Sequence, residues 1–296
     1  MKTKVIRRPG QKPELKKRSQ IGEVWHRLKK STPAMIAMSF LILLIVCTIA
    51  APWIAPYDYA EQNLADRLAP LSAAHPLGTD QFGRDLLSRL LFGGRISLLV
   101  SLMSTIISTL IALVIGATVG YFGGAYDTIM MRFMDILIAI PGMMLTIVMS
   151  VALDRTLFNT ALAMAVGGIA PFVRQLRAST LLVRGEEYIE AAKSFGSNSF
   201  SIIMRHVIPN TLAPVIVQVS MGLGANILGI AGLAFLGLGV QPPTPEWGNI
   251  LSSGQEVMRT YWPLITFPGI IIGLNMLSFN LLGDGLRDAM DPKLKN

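Results

Sequence analysis

The sequence predicts an all-α polytopic membrane protein with six transmembrane helices, and three observations carry that expectation. Hydrophobic residues make up 52% of the 296 and charged residues only 15%, against about 25% charge in an ordinary soluble domain. The apolar residues are pooled into six stretches free of Asp, Glu, Lys and Arg, at 31–57, 96–126, 136–153, 156–173, 206–245 and 260–283. A helix crossing about 30 Å of hydrocarbon needs roughly 20 such residues. The basic residues also segregate. With both termini on one side, 20 of the 26 Lys and Arg fall on that side and 6 on the other. Basic residues resist translocation, so that side is expected to be the cytoplasm.

Residues 1–33 form a basic tail whose Lys and Arg lie between Lys2 and Lys30. Anionic lipid and membrane topology account for this charge without a nucleic-acid partner. Within the tail Ile21, Val24, Trp25 and Leu28 make one apolar stripe, predicting a helix lying at the lipid interface. The first span, 34–52, is expected to be retained, because the charged segment before it is too long for a secretory signal. Cys47 stands alone in that span, which leaves no disulfide framework or thiolate-rich metal site.

The segment 53–95 is expected outside. Leu86, Leu87, Leu90 and Leu91 fall on one helical face and Arg84, Asp85, Ser88 and Arg89 on the other, predicting an amphipathic helix at the outer interface. His75 has no Cys or second His nearby and reads as a solvated or capping histidine.

Residues 96–283 hold the remaining spans. The third and fourth apolar runs sit at the short end of the membrane-spanning range. Pro141 with Gly142, Gly167 and Gly168, Pro171, Pro214, and Gly222, Gly224, Gly229 and Gly232 lie inside spans. They read as close-packing positions, with a pathway-opening hinge as the other reading. None of the six runs contains an acid, Lys or Arg, and none of the three histidines lies deep in one. Proton-coupled carriers usually keep such groups as a relay, so a self-contained carrier or channel is the weaker hypothesis. The tail end, 284–296, carries Asp284, Arg287, Asp288 and Asp291, placed for helix capping and local ion pairs.

The stretch 184–210, RGEEYIEAAKSFGSNSFSIIMRHVIPN, is the most informative. Tyr188, Ala191, Ala192 and Phe195 recur at i, i+3, i+4 and i+7, so a short helix presents two flat alanines between two aromatic rings. Gly196 stands where a left-handed residue ends that helix. Ser197 or Ser199 can cap a second helix, with Phe200, Ile203, Met204 and Val207 as its apolar face and Pro209 and Asn210 at its end. Such a hairpin fits a soluble partner, and by periodicity alone it equally fits packing against the protein's own core.

The segment Glu190, Ala191, Ala192, Gly196, Val207, Ile208, Pro209 resembles the cytoplasmic "EAA" loop of permease subunits in binding-protein-dependent ABC importers. Ile208 replaces the usual leucine before the proline. Three further stretches resemble the C-type permease of the dipeptide and oligopeptide branch: LGTDQFGRDLLSRLLFGGRISL from Leu77, FLGLGVQPPTPEWG from Phe235, and FNLLGDGLRDAMDPK from Phe279.

The resemblance implies a type I ABC importer permease core of five helices plus one N-terminal helix, in a bacterial inner membrane. It implies ATPase coupling through 184–210, with Glu187, Tyr188, Glu190, Ala191, Ala192, Phe195, Gly196, Ser197 and Phe200 as the coupling residues. The implied partners are a second homologous permease, two ATPases that bind ATP and magnesium, an extracytoplasmic peptide-binding protein, and membrane lipid. The implied cargo is a dipeptide or short oligopeptide, with glutathione or a nickel chelate as alternatives. The sequence agrees on one independent point: it contains no G-x-x-x-x-G-K-[ST] phosphate-cradling loop. This chain is therefore expected to be a translocator and no enzyme, with no cofactor of its own.

Overall fold

Gly124–Ala139 and Gly142–Ala152 are two helices bent by 85° at their junction, the geometry of a broken span or of a re-entrant loop. Five other helical stretches are long and apolar enough to cross a membrane: Thr32–Ile49, Leu86–Phe122, Leu157–Arg184, Ser199–Phe235 and Pro263–Met290. These assignments come from a computed structural model that describes residues 20–291. Expectations for residues 1–19 and 292–296, and for the Ile21 side chain, lie outside the described residues.

The helices in chain order are α1 (Gln20–Leu28), α2 (Thr32–Ile49), α3 (Ala51–Ile54), α4 (Leu86–Phe122), α5 (Gly124–Ala139), α6 (Gly142–Ala152), α7 (Leu157–Arg184), α8 (Glu187–Ser194), α9 (Ser199–Ile202), α10 (Ile208–Phe235), α11 (Trp247–Ser253) and α12 (Pro263–Met290). The break between α5 and α6 has a local cause. Pro141 lacks an N–H and its ring disfavours helical geometry in the preceding residue, and Ile140 is extended at φ −91°, ψ 125°. The third expected span is therefore two helices, the second too short at 11 residues to cross alone. The fourth expected span is longer than its apolar run: α7 continues past Val173 to Arg184 with Pro171 inside it.

The tail stripe packs in part on the bundle itself. Val24 and Leu28 of α1 pack with Ala34 of α2 and with Leu282, Leu286 and Ala289 of α12. Arg27 donates to the Asp291 carbonyl at 3.2 Å. Among the described side chains of that stripe, Trp25 stays exposed.

The external amphipathic helix is also corrected. Leu86–Phe122 is one continuous helix, and both faces of its start are buried, Leu86 and Leu90 along with Arg84, Asp85, Ser88 and Arg89. Periodicity identified two faces correctly, but the preceding segment folds over the polar one. Asp80 accepts from Arg84 at 2.6 Å and lies 3.4 Å from Arg89. Arg89 donates to the Tyr59 carbonyl, and the Tyr57 N–H donates to the Ser88 hydroxyl. Asp85 caps α4 by accepting from the Ser88 N–H at 2.8 Å. His75 is neither free nor solvated: its Nδ1 lies 3.0 Å from Asp85 Oδ1.

At the same end α11 is plugged between α4 and α10. Trp247 is 1% exposed, and its indole N–H donates to the Leu90 carbonyl at 2.9 Å. Glu246, equally buried, accepts from the Ser97 hydroxyl and from the Gly248 and Asn249 N–H groups.

The bundle interior is held by small residues. Ser97, Ser101, Ser104, Thr105 and Ser108 are all buried along α4. Ser101 donates to the Leu223 carbonyl, Ser108 to the Ala165 carbonyl, and Asn226 to the Ser104 and Thr105 hydroxyls. Small hydroxyl residues let helices approach closely in lipid while keeping their polar atoms paired. Gly142 and Gly167 meet backbone to backbone, so that a Cβ added at Gly167 would lie 2.8 Å from the Gly142 carbonyl oxygen. The packing reading holds at these positions, and Pro141 is the one that breaks a span.

Candidate docking site

The 184–210 stretch folds as two short helices hinged at a glycine. Helix α8 follows Glu186, extended at φ −77°, ψ 142°, and carries Glu187 and Glu190 in its first turn and Lys193 in its last. Acids at the N-terminus and a base at the C-terminus oppose the helix dipole favourably. Gly196 takes φ +78°. Its N–H donates to the Lys193 carbonyl at 2.9 Å and the Ser197 N–H to the Ala192 carbonyl at 3.1 Å. This pair of bonds is the Schellman stop, which needs a left-handed residue at that place.

The cap of α9 differs from expectation. Asn198, and neither Ser197 nor Ser199, accepts from the Ser201 N–H at 2.7 Å. An Asn carbonyl is as good a cap as a serine hydroxyl, so residue type alone did not separate the candidates. Nor do Pro209 and Asn210 end a unit. Residues 203–207 form a π-helical stretch that carries α9 directly into α10. Widening a turn just before Pro209 accommodates its missing donor.

One face of this hairpin is anchored. Ile189 is 0% exposed, and with Ile202, Ile203 and Val207 it packs onto Ala117 and Tyr121 of α4, Leu176 of α7 and Val215 of α10, with Ala192 beside them. The other face is open. Phe195 is 89% exposed and Phe200 75%, and Tyr188, Ala191 and Met204 are exposed between and beside them. Of the nine expected residues, the structure brings Tyr188, Ala191, Phe195 and Phe200 onto one apolar outward face. Glu187, Glu190, Gly196 and Ser197 are also exposed, whereas Ala192 turns partly inward.

Two groups escaped the sequence reading. Ile189 is the anchor of α8, yet a single buried residue in an eight-residue helix sets no period. Asp127 of α5 accepts from Arg177 of α7 at 2.5 and 2.6 Å, and Asp135 accepts from Arg174 at 2.5 Å. These pairs brace α5 against α7. Their signal was present, since acids flank the third apolar run and arginines follow the fourth, but the arginines were counted only for topology.

Residues 112–296 match the family described as binding-protein-dependent transport system inner membrane component. The chain belongs to this family. Residues 19–70 match a second family, the N-terminal TM domain of oligopeptide transport permease C. A dipeptide transport system permease protein of Escherichia coli (strain K12) is 44% identical over 92% of this chain and 93% of its own. A di/tripeptide transport system permease protein of Pseudomonas aeruginosa (strain UCBPP-PA14) is 40% identical over 97% of both. A glutathione transport system permease protein of Escherichia coli O6:K15:H31 (strain 536) is 42% identical over 92% of this chain and 90% of its own. As an ABC importer permease, this protein sits in the membrane and works with ATPase and substrate-binding partners. ATP hydrolysis belongs to those ATPases.

Proposed function

We propose that this chain forms half of the translocation pathway for dipeptides or short oligopeptides, and that ATPases drive it by docking on the α8–α9 hairpin. The observation that carries the docking is the open face: two phenylalanines and a tyrosine exposed on a hinge whose opposite face is bolted to three spans. Burying a phenylalanine side chain contributes roughly 1.5–3 kcal/mol, so a partner groove covering this face gains substantially. A second homologous permease completes the pathway, two ATPases hold ATP and magnesium, and a peptide-binding protein delivers cargo to the far end of the bundle. The hairpin and both termini then face the cytoplasm, in agreement with the basic-residue bias.

The cargo follows from the relatives' names, of which two are peptide permeases and one a glutathione permease. Glutathione is itself a tripeptide, so both readings share one cargo class. The deciding experiment reconstitutes the chain in liposomes alone and then with its partners, following labelled dipeptide and glutathione. Uptake is expected only in the complete assembly with ATP inside. Uptake by the chain alone, or uptake that persists without ATP and collapses with a protonophore, refutes the proposal.

A further inference from the structure

A groove of about 730 Å³ opens on the side of the bundle, walled by Ile45 and Ile49 of α2 and by Ile96, Leu98, Leu99 and Leu102 of α4, with Leu223 and Phe279 also lining it. Two hydroxyl residues line its body, and both are satisfied by backbone: Thr48 donates to the Ile45 carbonyl at 2.9 Å and Ser101 to the Leu223 carbonyl at 2.8 Å. The body therefore offers a ligand no free hydroxyl donor. Three other lining residues differ: Arg95, Tyr59 and Thr244. Among the described residues, the Arg95 guanidinium, the Tyr59 hydroxyl and the Thr244 hydroxyl have no hydrogen-bond or ion-pair partner. Arg95 is exposed and immediately precedes the apolar run that begins at Ile96. The groove thus sets one cation and two unpaired hydroxyls against walls that are mostly apolar.

The groove lies far from the docking hairpin. Arg95 and Tyr121 sit on the same continuous helix, 26 positions apart at about 1.5 Å each, or roughly 39 Å along it. Tyr121 belongs to the cluster under α8. Ile49 of the groove wall is itself exposed, as are Ile42 and Val46 on the same helix, an apolar surface suited to acyl chains.

We propose that the groove binds an anionic phospholipid, with an acyl chain between α2 and α4 and its phosphate on Arg95, Tyr59 and Thr244. Charge complementarity selects this occupant: a zwitterionic lipid brings its own cation to compete with the guanidinium for the phosphate, and an apolar helix from another subunit leaves all three donors unmatched. A bound lipid would fill the seam between the N-terminal helix and the rest of the bundle. The proposal does not depend on the cargo or on the docking site.

The test uses the full chain in mixed micelles, photolabelled with phosphatidylglycerol bearing a photoreactive acyl chain and mapped by peptide mass spectrometry. Labels are expected on 45–49 and 96–102. Unlabelled phosphatidylglycerol is expected to compete at least fivefold better than phosphatidylcholine, the order of one basic residue's attraction to anionic lipid. Arg95→Gln removes that preference and leaves the fold intact, since the residue is exposed and unpaired. Leu102→Trp fills the groove and reduces labelling by either lipid. Labels absent from both segments, competition that phosphatidylcholine matches in the unmodified chain, or a preference that survives Arg95→Gln each overturn the proposal. The last outcome assigns the preference to the basic tail.

Discussion

The two ends of the bundle invert the usual distribution of chemistry. At the α11 end, charged and polar groups are buried: Asp80 between Arg84 and Arg89, and Glu246 under Ser97 and the start of α11. At the hairpin end, large aromatics are exposed. A buried polar group with its partners supplied makes a rigid part that needs nothing else. An exposed apolar face has its partner missing. The contrast teaches where this protein is self-sufficient and where the proposed docking face lies open.

The largest effect is expected from breaking the polar end. Asp80→Ala leaves Arg84 and Arg89 buried without their carboxylate, and removing one member of a buried ion pair costs about 3–5 kcal/mol. Folded yield and thermal midpoint in detergent are expected to collapse. An unchanged midpoint means that water reaches the pair and that this end is not sealed.

Glu246 sharpens the same side of the contrast. Burial pushes its carboxyl above the usual range, and donors from Gly248, Ser97 and Asn249 pull the other way. The net direction is upward, so the folded chain holds the proton to higher pH than the unfolded one. Its stabilising share is complete below the ordinary carboxylate value and is lost as pH rises through the raised one. Glu246→Gln is expected to flatten that part of the stability profile, at a cost of about 1–3 kcal/mol for the donor facing the new amide. A profile identical to the unmodified chain's locates the titration elsewhere.

At the hairpin end the signs reverse. Phe195→Asp and Phe200→Asp are expected to leave the thermal midpoint unchanged, since exposed substitutions stay within about 0.5 kcal/mol. ATPase co-purification is expected to fall at least tenfold, about 1.4 kcal/mol. Ala191→Arg behaves alike, placing bulk and charge in a packed contact. Normal co-purification in all three variants removes the docking proposal. Gly196→Val meets no neighbour, because nothing lies within 4 Å of its added Cβ, yet it forces a branched residue to φ +78° at about 1–2 kcal/mol. The expected readout is retained ATPase with less peptide moved per ATP.

The same contrast explains what was legible beforehand. Long charge-free runs announced the spans because hydrocarbon accepts only helices with their backbone paired. Gly196 announced the hinge because few other residues turn left-handed there. The polar end was misread: Arg84, Asp85, Ser88 and Arg89 looked like a solvated face, and the sequence does not say which distant segment will cover a face. Asp80 and Tyr59 do the covering. The inward side of α8 was invisible for a related reason, since Ile189 earns its burial from α4, α7 and α10. The Pro141 break was present as a residue, but a proline in a span equally bends, kinks or passes unnoticed, and neighbouring helices decide.

The smallest effect is the most discriminating between a face and a whole helix. Lys193 lies in the last turn of α8, yet its ammonium sits 5.3 Å from the Tyr121 ring centroid, on the anchored side. Lys193→Gln removes that contact, worth about 0.5–1 kcal/mol at an exposed site, and weakens the dipole complement by a similar or smaller amount. A slight drop in thermal midpoint is therefore expected, with ATPase co-purification and peptide uptake unchanged. The comparison with Ala191→Arg is close, because the two residues lie two positions apart and differ mainly in the side of α8 they occupy. If Lys193→Gln weakens ATPase binding as much as the alanine variant, the partner grips the helix all round. The inward packing on Tyr121 must then open when the complex forms, and the hairpin is a mobile lever instead of a fixed docking face.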